Sequence, residues 1–507
     1  MDIELLTERY ASEIAGVLSC WDRVLVFGTL PKICFAAGMT SYLNERQVRI
    51  FDYPRFAEPF RDQLRENADR LAAEAGIEIE FIRKRNFRKE KRVKEVLARR
   101  GEHPGLVAIL SAMEPCSSYK PWHDKQTGST FLKPDSGKCL HYYFYFMDKK
   151  LGLCYVRVPT WLPCRLQIYF NGHNWLAGEL SKRKIDNRLL DNAFLHIEDW
   201  GRAQQIADSF HIERLHRKLD EFAGRFCPIY HALGLSYHWS VDQCEYATDI
   251  VFRKQADLQP LYENLSRTAI HTVKPDNIAT FLGKKLSPKF EGEMGNRFNV
   301  RIEGTRIKHT MGPVSLKLYD KFGIILRIET TVNDLSFFKH YREVEHRDGS
   351  RETKWASMQK TIYSLPALRE ILQAANRRYL EFLSVIEDPR NGREKLDKLS
   401  QPIEHQNRSY AGFNFFDEDD DALFRAIARG EFNIGGMQNK TLRRLMADKT
   451  SSQISRLLKR LRLHGLIKKV GRTYKYYLTR FGKQVITTGL KLRELVIIPQ
   501  LDSEYAQ

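Results

Sequence analysis

The stretch 450–478 constrains this chain more tightly than any other. Thr450, Ser451 and Ser452 offer oxygens that cap a helix N-terminus, and Gly465 suits the left-handed residue after a helix C-terminus. Between them Ile454, Leu457, Leu458 and Leu461 recur at i, i+3, i+4 and i+7, which predicts a helix over 453–464 with one buried stripe. The opposite face carries Gln453, Ser455, Arg456, Lys459, Arg460 and Arg462. Residues 466–470 and 473–478, separated by Gly471-Arg472, then predict a two-stranded ribbon, and 422–429 and 440–446 predict two preceding helices.

Charge singles out the same region. The chain of 507 residues has a formal net charge of +19. Residues 421–496 hold 18 Lys and Arg against four Asp and Glu, a local net charge of +14, so the excess is a footprint and not a general property. In this setting Gln453 and Arg456 are placed to read base edges. Ser452 and Ser455 stand beside them at the helix N-terminus, and Lys459, Arg460, Lys468, Lys469, Arg472 and Lys475 are placed to neutralise phosphates. The segment 415–500 resembles MarR-type winged helix-turn-helix domains. That resemblance implies duplex DNA as its partner, with RNA or protein docking as the alternatives.

The remainder reads as an α+β multidomain chain. Strand and helix signals alternate over 1–158 (strands at 24–27, 48–51, 77–82 and 106–110, a helix at 55–75), which predicts an N-terminal α/β domain with an open sheet. Residues 159–386 predict a central antiparallel-sheet α+β core, 387–414 a polar linker, and 415–500 the winged-helix domain. The eight cysteines form no CxxC pair and no zinc-finger spacing with His, which points to reduced thiols. No apolar run approaches the ~20 residues that cross a bilayer, and the acidic start Met1-Asp2-Ile3-Glu4 lacks the order of a signal peptide. A cytoplasmic protein without a membrane partner is expected.

The central segments carry candidate chemistry. In 314–321 and 324–332, joined by Phe322-Gly323, period-two geometry puts Val314, Leu316 and Leu318 with Ile324, Leu326 and Ile328 on one face. Lys317, Tyr319 and Lys321 with Arg327, Glu329 and Thr331 fall on the other, and Glu245 and Asp249 share a parity in 237–252. An acidic strand, an Arg-(x)-Tyr-Asp-Lys-like strand and an Arg-(x)-Glu strand resemble the core of rolling-circle replication initiators of plasmids and filamentous phages. The resemblance implies that Glu245 or Asp249, with His309 and Glu329, helps hold Mg²⁺ or Mn²⁺. It also implies that Tyr319 attacks a phosphodiester and that Lys317 or Lys321 stabilises the developing charge. The chain departs from the wider pattern in lacking a His-hydrophobe-His pair, since His141 and His196 each stand alone.

Other features carry two readings each. Tyr142–Phe146 are strand-core aromatics or base-stacking rings, and the basic run at 84–94 is a solvated helix or a second phosphate contact. Lys120–Lys125 and Asn171–Trp175 read as turns, the second holding His173 as a catalytic candidate. Three functions compete: a replication-initiator-like or mobile-element DNA-binding protein, a noncatalytic regulator that dimerises through its N-terminal part, and an RNA-binding component of a ribonucleoprotein.

Overall fold

The computed structural model describes residues 4–84, 86–285, 293–301, 304–346, 348–387, 390–429, 431–432, 436–471 and 473–501. The chain is mixed α+β and divides into two compact units, Met1–Glu387 and Asp388–Gln507.

The first unit is built on strands β1 (Ile14–Thr29), β2 (Ile79–Phe81), β3 (Gly105–His123), β4 (Thr130–Asp148), β5 (Gly152–Pro159), β6 (Leu166–Asn171), β7 (Asn187–Leu190), β8 (Ala193–Ile197), β9 (His238–Phe252), β10 (Met294–Arg301), β11 (Gly304–Met311), β12 (Val314–Lys321) and β13 (Ile325–Val332). Apart from the separate β7–β8 hairpin, they form one eleven-stranded sheet in the order β10-β11-β12-β13-β9-β1-β6-β5-β4-β3-β2. Only β2–β3 is parallel; every other pairing is antiparallel, so the open α/β sheet expected of the N-terminal region is not what forms. Nor does the sheet break at residue 158, because β5 and β6 pair through Tyr155↔Tyr169 to Arg157↔Gln167.

Its helices include α1 (Tyr53–Ala75), α2 (Gly172–Lys182), α3 (Trp200–Asp208), α4 (Ile212–Phe226), α5 (Gln255–Thr272) and α6 (Leu365–Glu387). The largest core lies under α1, α4, α5 and α6, where Leu64, Leu71, Leu219, Phe226, Leu265, Leu372 and Leu383 are all buried. In α6, Leu368, Leu372, Ala375 and Tyr379 recur at helical spacing and face this core. On the other face α2 and α3 bury Leu176, Leu180, Ala203 and Ile206 against Leu18 and Cys20 of β1. Beside that patch the same face carries charged side chains from β9, β12 and β13.

The β12–β13 turn forms as the sequence predicts. Phe322 and Gly323 both take positive φ, 55° and 71°, within the three-residue connection 322–324 between the paired Lys321 and Ile325. Leu316 pairs with Thr330 and Leu318 with Ile328 on the inward face, while Lys317 pairs with Glu329 and Tyr319 with Arg327 on the outward one.

The second unit contains α7 (Arg390–Ser400), α8 (Glu418–Ile427), α9 (Asn439–Leu445), α10 (Ser451–Leu463), the ribbon β14 (Ile467–Lys469) and β15 (Tyr476–Leu478), and α11 (Arg480–Leu492). Leu423, Phe424, Leu442, Ile454, Leu458, Leu461 and Ile486 fill its core. The segment expected to be a linker belongs to this unit: Leu399 and Phe413 are buried in the same core.

Candidate functional site

The outward face of β9, β12 and β13 is closed on one side by a bulge in β1. Trp21 pairs with Tyr246 and Val24 with Cys244, so Asp22 and Arg23 stand opposite the single residue Glu245. The extra residue sends Trp21 into the core and Asp22 to the charged face. Gly172, at the start of α2, lies so close to β1 that a Cβ would sit 2.3 Å from the Trp21 carbonyl oxygen. Only glycine allows this approach, which sets His173 at 3.5 Å from Asp22 and 3.7 Å from Asp249.

Two linked clusters result. In the inner one Arg327 donates from Nε and Nη2 to the two oxygens of Asp249, each at 2.6 Å, and from Nη1 to Asp22 at 3.1 Å. Asn192, in the β7–β8 turn, donates to both oxygens of Asp22 at 2.6 and 2.7 Å, and its carbonyl accepts from Arg327 at 2.6 Å. Asn171 adds a further bond to Asp22 at 2.7 Å. All of Arg327, Asp22 and Asp249 are buried. Burial alone would lift the two carboxyls, but the Arg327 guanidinium outweighs it and holds Asp22 far below the usual carboxylate range and Asp249 at about 2.

The outer cluster reaches solvent. Lys317 Nζ lies 3.0 Å from Glu245 and 2.5 Å from Glu329, and Tyr319 donates its hydroxyl to the other Glu329 oxygen at 2.7 Å. Thr331 donates to Glu245 at 3.1 Å. Burial and then the Glu329 charge raise Glu245 above its ordinary value despite Lys317. Burial opposes charge on Lys317, yet the two glutamates hold its pKa above normal. Burial and Glu329 push the Tyr319 phenol well up, so it is protonated. Lys321 bonds to the Asn192 side-chain oxygen and is lowered to about 8 by burial and by Arg327.

Carboxylate oxygens of Asp22, Glu245 and Glu329 all lie within 4.8 Å of one another. An all-oxygen set of this kind suits a hard divalent cation, Mg²⁺ or Mn²⁺. The fit rests on this donor set: Glu245 and Glu329 flank Lys317, and Asp22 would share with the ion oxygens that also accept from Asn171, Asn192 and Arg327. Two residues expected to hold the ion stand apart from this set. Asp249 spends both oxygens on Arg327. His309 lies on the inward face: it pairs with Leu316, is fully buried, and bonds Asn296 and the Tyr379 hydroxyl, each at 2.7 Å. Burial lowers it to about 4. No local signal in the sequence marks Asp22, His173 as the neighbour of both aspartates, or Asn192 as the tether of Asp22 and Arg327.

Beyond Lys317 the same face turns cationic. Lys308 pairs with Lys317 and Arg297 with Lys308, with Arg306 beside them, a row that leads from the carboxylates to the sheet edge. The aromatics at 142–146 are instead core: Tyr142, Phe144 and Phe146 on one face, Tyr143 and Tyr145 under the helix Lys89–Arg100 on the other. That helix uses Lys89 on Glu114 and Arg92 on Glu80. Arg85 lies outside the described residues.

In the second unit Thr450 is the N-cap of α10, and Gln453 completes a capping box by accepting from the Thr450 backbone N–H at 2.7 Å. Gln453 therefore closes the helix end and is not free to read a base. Arg460 bonds Asp420 at 2.7 and 2.9 Å and lies over Phe413 at 3.9 Å, so it anchors the fold and not a phosphate. Arg456, Ser452, Lys468, Lys469 and Lys475 are exposed. Ser455 accepts from Asn439 at 2.8 Å, and Lys459 contacts Gln406 at 3.3 Å. Arg472 lies outside the described residues.

No family model, no curated protein and no solved structure matches this chain. Among the described residues no helix is long and apolar enough to cross a membrane.

Proposed function

We propose that this chain binds nucleic acid and nicks one strand of it, as an initiator-like DNA-binding protein of a replicon or mobile element. The observation that carries the reading is the triad Asp22–Glu245–Glu329 with Tyr319 hydrogen-bonded to Glu329 and Lys317 between the glutamates. A hydroxyl held against a carboxylate is the arrangement of a nucleophile and its base. Tyr319 attacks phosphorus while its proton passes to Glu329, the bond to the 3′ oxygen breaks with that oxygen taking a proton from water to leave as the 3′ hydroxyl, and the tyrosine keeps the 5′ phosphate. Lys317 faces the charge that develops on the phosphoryl oxygens. Asp22, Glu245 and Glu329 would hold a divalent ion, which would supply Lewis-acid stabilisation of the same charge. The row Lys308, Arg306 and Arg297 offers the strand's backbone a cationic path.

From α8 onward the second unit follows the element order of a winged helix-turn-helix: three helices, a two-stranded ribbon, then α11. In this reading α10 enters the major groove of a duplex with Arg456 toward base edges, while Lys468, Lys469 and Lys475 meet phosphates. Duplex affinity should fall steeply with salt, with a log–log slope of about −3.6 to −5.4 for about four to six phosphate contacts, and Arg456→Ala should weaken binding by roughly tenfold. Titration of a labelled duplex between low and physiological ionic strength checks both. A slope near zero would remove the nucleic-acid assignment for this unit.

One observation favours a milder reading, in which the face only grips a backbone: Lys317 already stands where a cation would. Incubating the full chain with single-stranded DNA and Mn²⁺ decides between them. Nicking with a covalent protein–DNA adduct that is lost in Tyr319→Phe is expected; binding without either product leaves the grip alone.

A further inference from the structure

After β13 the chain enters a projecting hairpin, Lys339–Glu345 paired with Arg351–Ser357. Its root is fixed to the strands that carry the carboxylates. Asn333, one residue past β13, accepts from Gln243 at 2.6 Å, two positions from Glu245. The returning chain pairs Thr361 with Ser240, and the Lys360 carbonyl accepts from the Val241 N–H at 2.6 Å. Met358 N–H to the Phe338 carbonyl closes the base at 2.9 Å.

The hairpin's two faces differ. His340, Arg342, Val344, Lys354 and Ala356 are half-buried, whereas every odd-numbered position from 339 to 345 and from 351 to 357 is exposed. On that open face Tyr341 and Trp355 stand directly opposite each other, 62% and 69% exposed. Core packing does not account for them. Their ring centroids are 6.3 Å apart and the planes are tilted by 58°, so nothing flat fits between them and each offers its outer side. Toward the root, the row beside them holds Lys339 opposite Ser357, and Lys339 makes no ion pair among the described residues. On the far side Glu343 and Glu345 share the single cation Arg351 at 3.4 and 3.6 Å, so that end keeps a net negative charge and Lys339 marks the end a phosphate would approach.

We propose that this hairpin is a base-stacking clamp. The outer faces of Tyr341 and Trp355 each take a base from unpaired nucleotides flanking the phosphate at Glu245 and Glu329, and Lys339 meets the phosphate beside them. The inference rests on the nicking reading above and adds a second contact region to it. Two bare aromatic rings with no aliphatic neighbour on their face are too small an apolar area for a stable protein interface, which buries roughly 800 Å² per partner. They match the ring-and-cation pattern by which single strands are held without sequence preference.

The test uses the full chain, EDTA to prevent cleavage, and fluorescein-labelled oligothymidylate read by anisotropy. The double variant Tyr341→Ala, Trp355→Ala should bind roughly 10- to 100-fold more weakly, while Trp355→Phe stays close to wild type because a ring face remains. Duplex binding should not change in either. Equal oligothymidylate affinity in wild type and double variant overturns the clamp. So does wild-type self-association in sedimentation that the double variant loses, which would give the rings to a second copy of the chain. A separate nicking assay with Mn²⁺ keeps the two readings apart: wild type that binds oligothymidylate through the rings but forms no adduct overturns nicking alone, and a chain that nicks but binds oligothymidylate equally well without the rings overturns the clamp alone.

Discussion

Arg327→Met is expected to destabilise the unit Met1–Glu387 by about 3–5 kcal/mol at neutral pH, because it leaves two buried carboxylates without their counter-charge. Asp22 and Asp249 are both buried, and Arg327 gives Asp249 two bonds and Asp22 one. All seven tryptophans lie between residues 21 and 355, so tryptophan fluorescence during urea unfolding follows this unit without interference from the other. The pH dependence should also change sign. In the wild type both aspartates have pKa values below their ordinary value. Their contribution to stability is therefore fully present above about pH 4 and is lost as pH falls through about 2, the Asp249 value. Without Arg327 burial dominates and lifts both carboxyls, so the variant should gain stability relative to wild type as pH is lowered from 7 toward 5, a range in which buried His309, held at about 4, costs both proteins alike. A variant as stable as wild type at pH 7 would mean that the inner cluster does not hold β1, β9 and β13 together.

What the sequence reveals about this site follows from the range over which its rules act. Lys317, Tyr319, Arg327, Glu329 and Thr331 were legible as one face because strand alternation is local and Phe322-Gly323 fixes the hairpin register. Glu245 joined them by the same parity. His309 did not, because its face depends on the pairing of β11 with β12, which sets it opposite the inward Leu316. Asp249 has the right face and the wrong partner: nothing local says which of several carboxylates a buried arginine will take. Asp22 is the hardest case. Simple alternation carries no mark of the bulge at 22–23, and the strand that bears it meets β9 only through the tertiary fold. Gln453 and Arg460 teach the converse lesson in the second unit. A polar helix face looks uniformly available in the sequence, yet the capping box takes one side chain and Asp420 the other. The sheet as a whole departs from local expectation for a related reason. Helix and strand signals alternate over the first 158 residues, but long antiparallel pairings, above all β3 with β4, decide the topology.

The largest effect on chemistry is expected at Glu329. It accepts the Tyr319 hydroxyl, touches Lys317 and belongs to the carboxylate triad. Glu329→Gln removes the proton acceptor and one anionic ligand together while nearly preserving shape, and nicking should fall on the order of 10³-fold or more. Glu245→Gln should act differently. Tyr319 keeps its base, so the loss should be recovered in part by raising Mn²⁺, a split that a stopped assay across metal concentrations reads directly. Acidity adds a check. Glu245 is held above its ordinary value by burial and by Glu329, so it becomes protonated at a higher pH than a free glutamate. Metal-dependent nicking should therefore climb as pH rises through that value, and the limb should vanish in Glu245→Gln measured at saturating Mn²⁺. If Glu329→Gln nicked at the wild-type rate, neither proton transfer from Tyr319 nor an ion at this triad could be part of the reaction, and the outward face of β12 and β13 would be left as a surface that binds a strand without cutting it.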